Sequence, residues 1–153
     1  LSKYPNLVVL QTLSKAWGLA GLRLGMAFAS EEIISVLNKI KYAYNINILT
    51  QNTALKEISS VKEKDRQVKE ILEQRSFLIQ QLQAIPNVLN VYPTDANFVL
   101  VKIKHAKKVY HQLIDYSIIV RDPSSVVLCD DCLRITVGTP EENSKLIETL
   151  KTL

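Results

Sequence analysis

Two cysteines in 153 residues are too few for a disulfide scaffold, and that scarcity points to a reducing, cytoplasmic setting. The longest apolar runs, such as Leu7 to Leu10 and Phe98 to Val101, are short. They fall well below the roughly 20 residues a membrane-spanning helix needs. Internal repeats and low-complexity stretches are absent, and apolar residues at 47% with charged residues at 22% exclude a disordered or fibrous chain. Neither sign of charge dominates. Nineteen basic against 15 acidic side chains leave +4, which favours a nucleic acid no more than a metabolite anion. The opening Leu1-Ser2-Lys3 has no starting Met and no signal-peptide pattern, so the chain reads as a processed or cut piece.

The patterning that is present is α/β. After the turn signal Pro5-Asn6, the apolar, partly β-branched run Leu7-Val8-Val9-Leu10 has the character of a strand buried on both faces. Leu22 to Ala29 reads as a second strand. Ser30 followed by Glu31-Glu32 predicts a capped helix start, with Ile33, Ile34, Leu37 and Ile40 on one face. A long helical region follows over about Leu49 to Ala84, with a break near Ser59-Ser60, and ends at Pro86-Asn87. Strands are expected at Val88–Tyr92, Asn97–Lys104, Ile118–Val120 and Leu133–Val137, with an amphipathic helix through Ala106, Val109, Tyr110, Leu113 and Ile114. Thr139-Pro140-Glu141-Glu142 spells a capping box with Pro at the first helical position. The β-β-α-β-β-α order after Ser60 can bury a core by itself; the part before it does not form a complete layer structure.

One stretch carries chemistry: Thr12-Leu13-Ser14-Lys15-Ala16-Trp17-Gly18-Leu19-Ala20-Gly21-Leu22-Arg23. A lysine between a buried strand and small residues would be desolvated, which favours the neutral amine that condenses with an aldehyde. Gly18, Ala20 and Gly21 let a flat ligand or another backbone approach. The Thr12 and Ser14 hydroxyls with the Arg23 guanidinium suit a phosphate group. An imine-forming lysine beside a phosphate cradle describes a pyridoxal-phosphate site. On spacing alone, a surface lysine and a salt-bridged arginine flanking a turn account for the same residues.

The run T-L-S-K-A-W-G-L-A-G-L-R-L-G resembles, position for position, the lysine signature of the fold-type I pyridoxal-phosphate aminotransferases, and looks most like the histidinol-phosphate aminotransferases among them. Tyr44-Asn45-Ile46-Asn47 with Leu49-Thr50-Gln51 is similar to that family's interdomain segment. Asp95 to Val101, Ile119-Val120-Arg121-Asp122 and Leu133 to Glu142 are similar to its small-domain segments, all in order along the chain. The resemblance implies an α/β fold: residues 1–60 as a remnant of the large cofactor-binding domain, with parallel strands and a helix, and 61–153 as a complete small α+β domain whose sheet is covered by helices. It also implies roles. Lys15 would form the Schiff base and move the proton between carbon centres, with Thr12, Ser14 and Arg23 holding the cofactor phosphate. Arg134 would bind the carboxylate of the glutamate/2-oxoglutarate pair, and Arg121 would sit near the substrate's phosphate end. Two arginine forks at strand ends suit a dianion. The complete protein would be a homodimer acting on a phosphorylated amine, histidinol phosphate, in histidine biosynthesis.

The family also uses an aspartate against the pyridine nitrogen, upstream of the lysine. Leu1 to Ser14 contains neither Asp nor Glu. The chain therefore reads as the C-terminal portion, inactive alone, with Leu7–Leu10 and Leu22–Ala29 poorly covered or paired with a second copy. A threonine-phosphate decarboxylase or an aromatic aminotransferase shares these motifs; a non-catalytic α/β binding module is the alternative of another class. Cys129-Asp130-Asp131-Cys132 falls short of zinc's four ligands and precedes a strand rather than a helix, so it reads as two thiols near a loop. His105 and His111 read as solvated helix residues, and Lys102, Lys104, Lys107 and Lys108 as a solvated face without an aromatic platform for nucleic acid.

Overall fold

The computed structural model describes Leu1 and residues 3–153. The chain divides into two compact units, Leu1–Gln67 and Val68–Leu153.

The first unit is built on strands β1 (Val9–Thr12) and β2 (Gly25–Phe28), followed by helices α1 (Glu31–Ile40) and α2 (Ile48–Ile58) and the start of α3 (Val61–Gln83). β1 and β2 pair antiparallel, with Val9 opposite Phe28 and Thr12 opposite Gly25. This corrects the parallel strands expected from the resemblance. A parallel pair needs a crossover, usually a helix. Leu13 to Leu24 supplies only one 3-10 turn, Ala20–Leu22, and the Leu13 N–H donates to the Leu24 carbonyl at 3.3 Å to close a hairpin. Among the described residues of this unit only Leu13 and Ala54 are buried apolar side chains, and Leu10 is 78% exposed. The apolar β1 is therefore poorly covered rather than buried on both faces. α1 begins where Ser30 and the two glutamates place it, but the Ser30 hydroxyl makes no capping bond, and Leu37 and Ile40 on its apolar stripe are exposed. The break near Ser59-Ser60 separates α2 from α3, and the Asn47 side chain caps α2 by accepting from the Thr50 N–H at 2.9 Å.

The second unit holds the core. Strands β3 (Val88–Val91), β4 (Phe98–Ile103) and β5 (Cys132–Thr136) form an antiparallel sheet in chain order. The rest of α3, α4 (Ala106–Asp115) and α5 (Pro140–Thr152) supply its helices. β4 alternates half-buried and buried residues, so Val99, Val101 and Ile103 face the core with Leu133 and Ile135 of β5. Leu78 and Leu82, four apart on α3, join Val109 and Leu113 of α4 and Leu146, Ile147 and Leu150 of α5 in the same cluster. The Thr139–Glu142 capping box forms with Pro140 in the first turn.

The strand expected at Ile118–Val120 does not form. Ser117 takes a left-handed backbone (φ 58°), and the Ile118 N–H donates to the Leu113 carbonyl at 2.8 Å. That bond finishes α4 in a Schellman arrangement and commits the donor a ladder would need. The chain reaches the edge of β5 only at Arg121, as an isolated antiparallel bridge to Arg134. Pro123, without an N–H, follows.

Candidate functional site

The hairpin tip of the first unit brings Thr12 and Ser14 together. The Thr12 hydroxyl donates to the Ser14 hydroxyl at 2.9 Å, and the Ser14 N–H donates back to the Thr12 hydroxyl at 3.1 Å. This local turn places two hydroxyls side by side. Between them, buried Leu13 anchors the tip, its carbonyl accepting from the Leu19 N–H at 3.0 Å. Lys15 opens the next turn, where its carbonyl accepts from the Gly18 N–H at 2.9 Å. Gly18 has φ +66°, which only glycine adopts freely, and a Cβ there or at Gly21 would meet nothing within 4 Å. The tip therefore leaves open the space a ligand would enter.

Lys15 is exposed, so the desolvation expected from its neighbours is not supplied within this chain. Arg23 is exposed too. It takes a left-handed backbone (φ 53°, ψ 39°) after the 3-10 turn, and its guanidinium donates to the Ala20 carbonyl at 3.1 Å. Trp17 is half-buried, with the Lys64 ammonium 5.5 Å from its ring centroid. That contact joins residues 47 positions apart, and the sequence reading did not foresee it.

In the second unit the Arg121 N–H donates to the Arg134 carbonyl at 3.0 Å, and the Arg134 N–H donates back at 2.8 Å. Directly paired residues of an antiparallel ladder send their side chains to the same face. Both guanidinium groups thus leave one face of the sheet, where like charges opposite one another repel. Arg121 is exposed; Arg134 is half-buried, with its Nε enclosed and without a hydrogen-bond partner. The Arg134 guanidinium lies 5.0 Å from the centroid of the Phe98 ring. Phe98 and Arg134 stand diagonally across β4 and β5, since Phe98 pairs with Thr136 and Leu100 with Arg134. Sequence reading placed Phe98 in a motif without a role; its contact depends on strand register. Arg75, also unforeseen, donates to the Ala96 carbonyl at 2.9 Å and secures the loop before β4. Asn97 is exposed there and engages β5 through its carbonyl, which accepts from the Val137 N–H at 3.0 Å.

Lys15, Thr12, Ser14 and Arg23 thus belong to the first unit, and Arg121 and Arg134 to the second. The second unit's cavity of about 490 Å³, between Ser117–Val120 and the start of α5, is lined by none of the six.

The family model of aminotransferase class I and II matches residues 1–150. The chain belongs to this family. It is 55% identical over 152 residues to a histidinol-phosphate aminotransferase of Cytophaga hutchinsonii, a match covering 99% of this chain and 44% of that protein. Among solved structures it superposes on the histidinol-phosphate aminotransferase of Clostridium acetobutylicum with a TM-score of 0.89 at 22% identity, covering 99% of this chain and 46% of the other. The histidinol-phosphate aminotransferase of Sinorhizobium meliloti, solved with pyridoxal-5'-phosphate, gives 0.83 at 23% identity, covering 97% and 41%. The fold is that of these enzymes, and the chain spans less than half the length of the relatives it matches. Among the described residues no helix is long and apolar enough to cross a membrane.

Proposed function

We propose that this chain supplies the cofactor-lysine hairpin and the small domain of an aminotransferase. The complete protein would move an amino group between histidinol phosphate and 2-oxoglutarate. The observation that carries the reading is the arginine pair. Arg134 holds an enclosed, unpartnered Nε directly across a backbone bridge from Arg121. A buried donor without a partner costs about 1–3 kcal/mol, and two opposed cations add repulsion. An anion between the forks relieves both. Every substrate of the reaction carries an anionic group, two carboxylates on glutamate and 2-oxoglutarate and a phosphate on histidinol phosphate, and the histidinol-phosphate aminotransferase relative at 55% identity supports that choice.

Pyridoxal phosphate fits the hairpin's donor set, and when bound it supplies an electron-withdrawing ring that makes a bond at the amino-bearing carbon labile. Lys15, at the tip, would hold that group through its amine and carry the proton between the two carbon centres. The adjacent Thr12 and Ser14 hydroxyls would accept and donate at the phosphate. Arg23 would leave the Ala20 carbonyl to add a charge-assisted bond. Arg134 would fix the carboxylate of glutamate or 2-oxoglutarate bidentately, its plane held by the Phe98 ring. Arg121 would face the phosphate end.

On this reading residues 1–60 belong to the large domain and 61–153 to the small one. The complete protein is a cytoplasmic homodimer, and the 153-residue chain alone is inactive. Borohydride reduction of the complete polypeptide with pyridoxal phosphate, followed by peptide mapping, tests the assignment. Label on Lys15 and turnover of histidinol phosphate with 2-oxoglutarate are expected. Label on another lysine refutes the site. Carbon dioxide release from threonine phosphate without transamination refutes the reaction.

A further inference from the structure

The two cysteines have no part in that reading, and the loop that carries them is built of three linked turns. The Val126 N–H donates to the Pro123 carbonyl at 2.8 Å, Cys129 N–H to Val126 at 3.1 Å, and Cys132 N–H to Cys129 at 3.1 Å. The last turn has Cys129 and Cys132 as its two ends. A hydrogen-bonded four-residue turn holds its end Cα atoms within about 7 Å, and disulfides form at Cα separations of roughly 4.4–6.8 Å. The Cys132 thiol donates toward the Asp130 carbonyl at 3.6 Å, which puts its sulfur against the turn rather than away from it. The Asp131 carbonyl accepts from the Ile103 N–H at 2.9 Å, pinning the turn to β4. Cys132 is buried and Cys129 half-exposed.

We propose that Cys129 and Cys132 form a redox modification site, a pair that closes reversibly as an intrachain disulfide by exchange with a low-molecular-weight disulfide. Cys129, the accessible one, attacks one sulfur of the small disulfide and releases its first thiolate. The Cys132 thiolate then attacks the Cys129 sulfur and releases the second. Two protein thiols are oxidised, one small disulfide is reduced to two thiols, and the two protein protons pass to the leaving thiolates. Burial raises the Cys132 thiol pKa, as does the neighbouring Cys129; Asp130 and Asp131 add to the rise while Lys102 opposes it. These effects leave less Cys132 thiolate, so the second step is the slower one and relies on its partner being held in the same turn. The ring closed is short, so the bond adds little stability and stays reducible. Two thiols do not reach zinc's four ligands, and no group of three or more candidate metal ligands gathers among the described residues.

The test equilibrates the full 153-residue chain with glutathione disulfide and glutathione at fixed ratios, followed by acid quench, intact mass and cleavage before Asp130. The expected product is a monomer lighter by two hydrogens, with Cys129 and Cys132 joined. The closure constant should be at least about fivefold larger in the folded chain than in urea, because the turn raises the effective concentration of one thiol at the other. The Cys132→Ala variant should hold a single glutathione on Cys129. Two stable glutathione adducts, a covalent dimer, thiols that stay reduced, or equal constants in folded and unfolded chain would each overturn the proposal. Circular dichroism of the variant verifies its fold, and the folded-against-urea comparison on the unsubstituted chain stands without it.

Discussion

Arg121 and Arg134 exchange two backbone hydrogen bonds, 3.0 and 2.8 Å, and so set two cations opposite each other at the edge of a three-stranded sheet. Replacing Arg134 by Met removes the enclosed, unpartnered Nε and the repulsion, and loses the Phe98 stacking, worth about 0.5–1 kcal/mol. Urea unfolding should therefore show the chain unchanged or stabilised by up to about 1–2 kcal/mol. If Arg134 holds the carboxylate as proposed, kcat/KM of the complete protein for 2-oxoglutarate should fall about 100-fold or more, since methionine cannot form the bidentate bond. A clear loss of stability would mean that Arg134 is a packing residue instead.

The two units should respond differently to the same truncation. Leu113 is fully buried in the core of the second unit, and Leu113→Ala should cost about 2–5 kcal/mol. Leu10, largely exposed on β1, should cost less than about 0.5 kcal/mol on the same change. Paired denaturation curves check the contrast.

Gly138 is confined by the helix it precedes. A Cβ there would sit 2.6 Å from the Glu142 carboxylate oxygen and 3.1 Å from the Glu142 Cβ. Glu142 can swing its carboxylate aside only by releasing the Thr139 N–H, which it accepts at 2.9 Å. Gly138→Ala should thus open the capping box and cost about 1 kcal/mol, close to the effect of Thr139→Ala. If thermal unfolding shows the alanine variant at or above the parent, the contact is softer than its distances imply.

Glu63 should titrate far below an ordinary glutamate. Arg66 donates to its carboxylate at 2.8 and 3.0 Å and Gln67 at 2.9 Å, and these bonds lower its pKa from 4.5 to about 2. A carboxyl depressed in the folded state contributes stability above its unfolded pKa and loses it as pH falls through the folded one. The contribution should be complete above about pH 4.5 and fade towards about pH 2. It should weaken in high salt, since the carboxylate is open to solvent. A carbon-detected NMR titration reads the midpoint directly, and Glu63→Gln should flatten that part of the stability curve.

What the sequence disclosed is what local chemistry decides. The Thr139–Glu142 box, the Ser59-Ser60 break and the amphipathic α4 each rest on residues a few positions apart, and each stands where the pattern put it. The direction of β2 against β1 was not legible, because it depends on how Leu13 to Leu24 returns rather than on the strands themselves. Ile118–Val120 has strand composition but lies where helix termination consumes its first donor. In the site, the lysine segment and the arginines were visible as residue types. The stacking of Arg134 on Phe98 and the Trp17–Lys64 contact were hidden, since both need the register or fold that brings distant positions together.

Arg23 sits in a backbone basin that disfavours every side chain with a Cβ, at a cost of about 1–2 kcal/mol. Glycine at that position would relieve the hairpin while deleting the guanidinium. Arg23→Gly is thus expected to leave the tip's amide protection intact or improved in hydrogen exchange, yet to weaken inorganic-phosphate binding by the complete protein. Folding and anion capture make opposite demands on this one residue, so a design aimed only at ruggedness would discard it first.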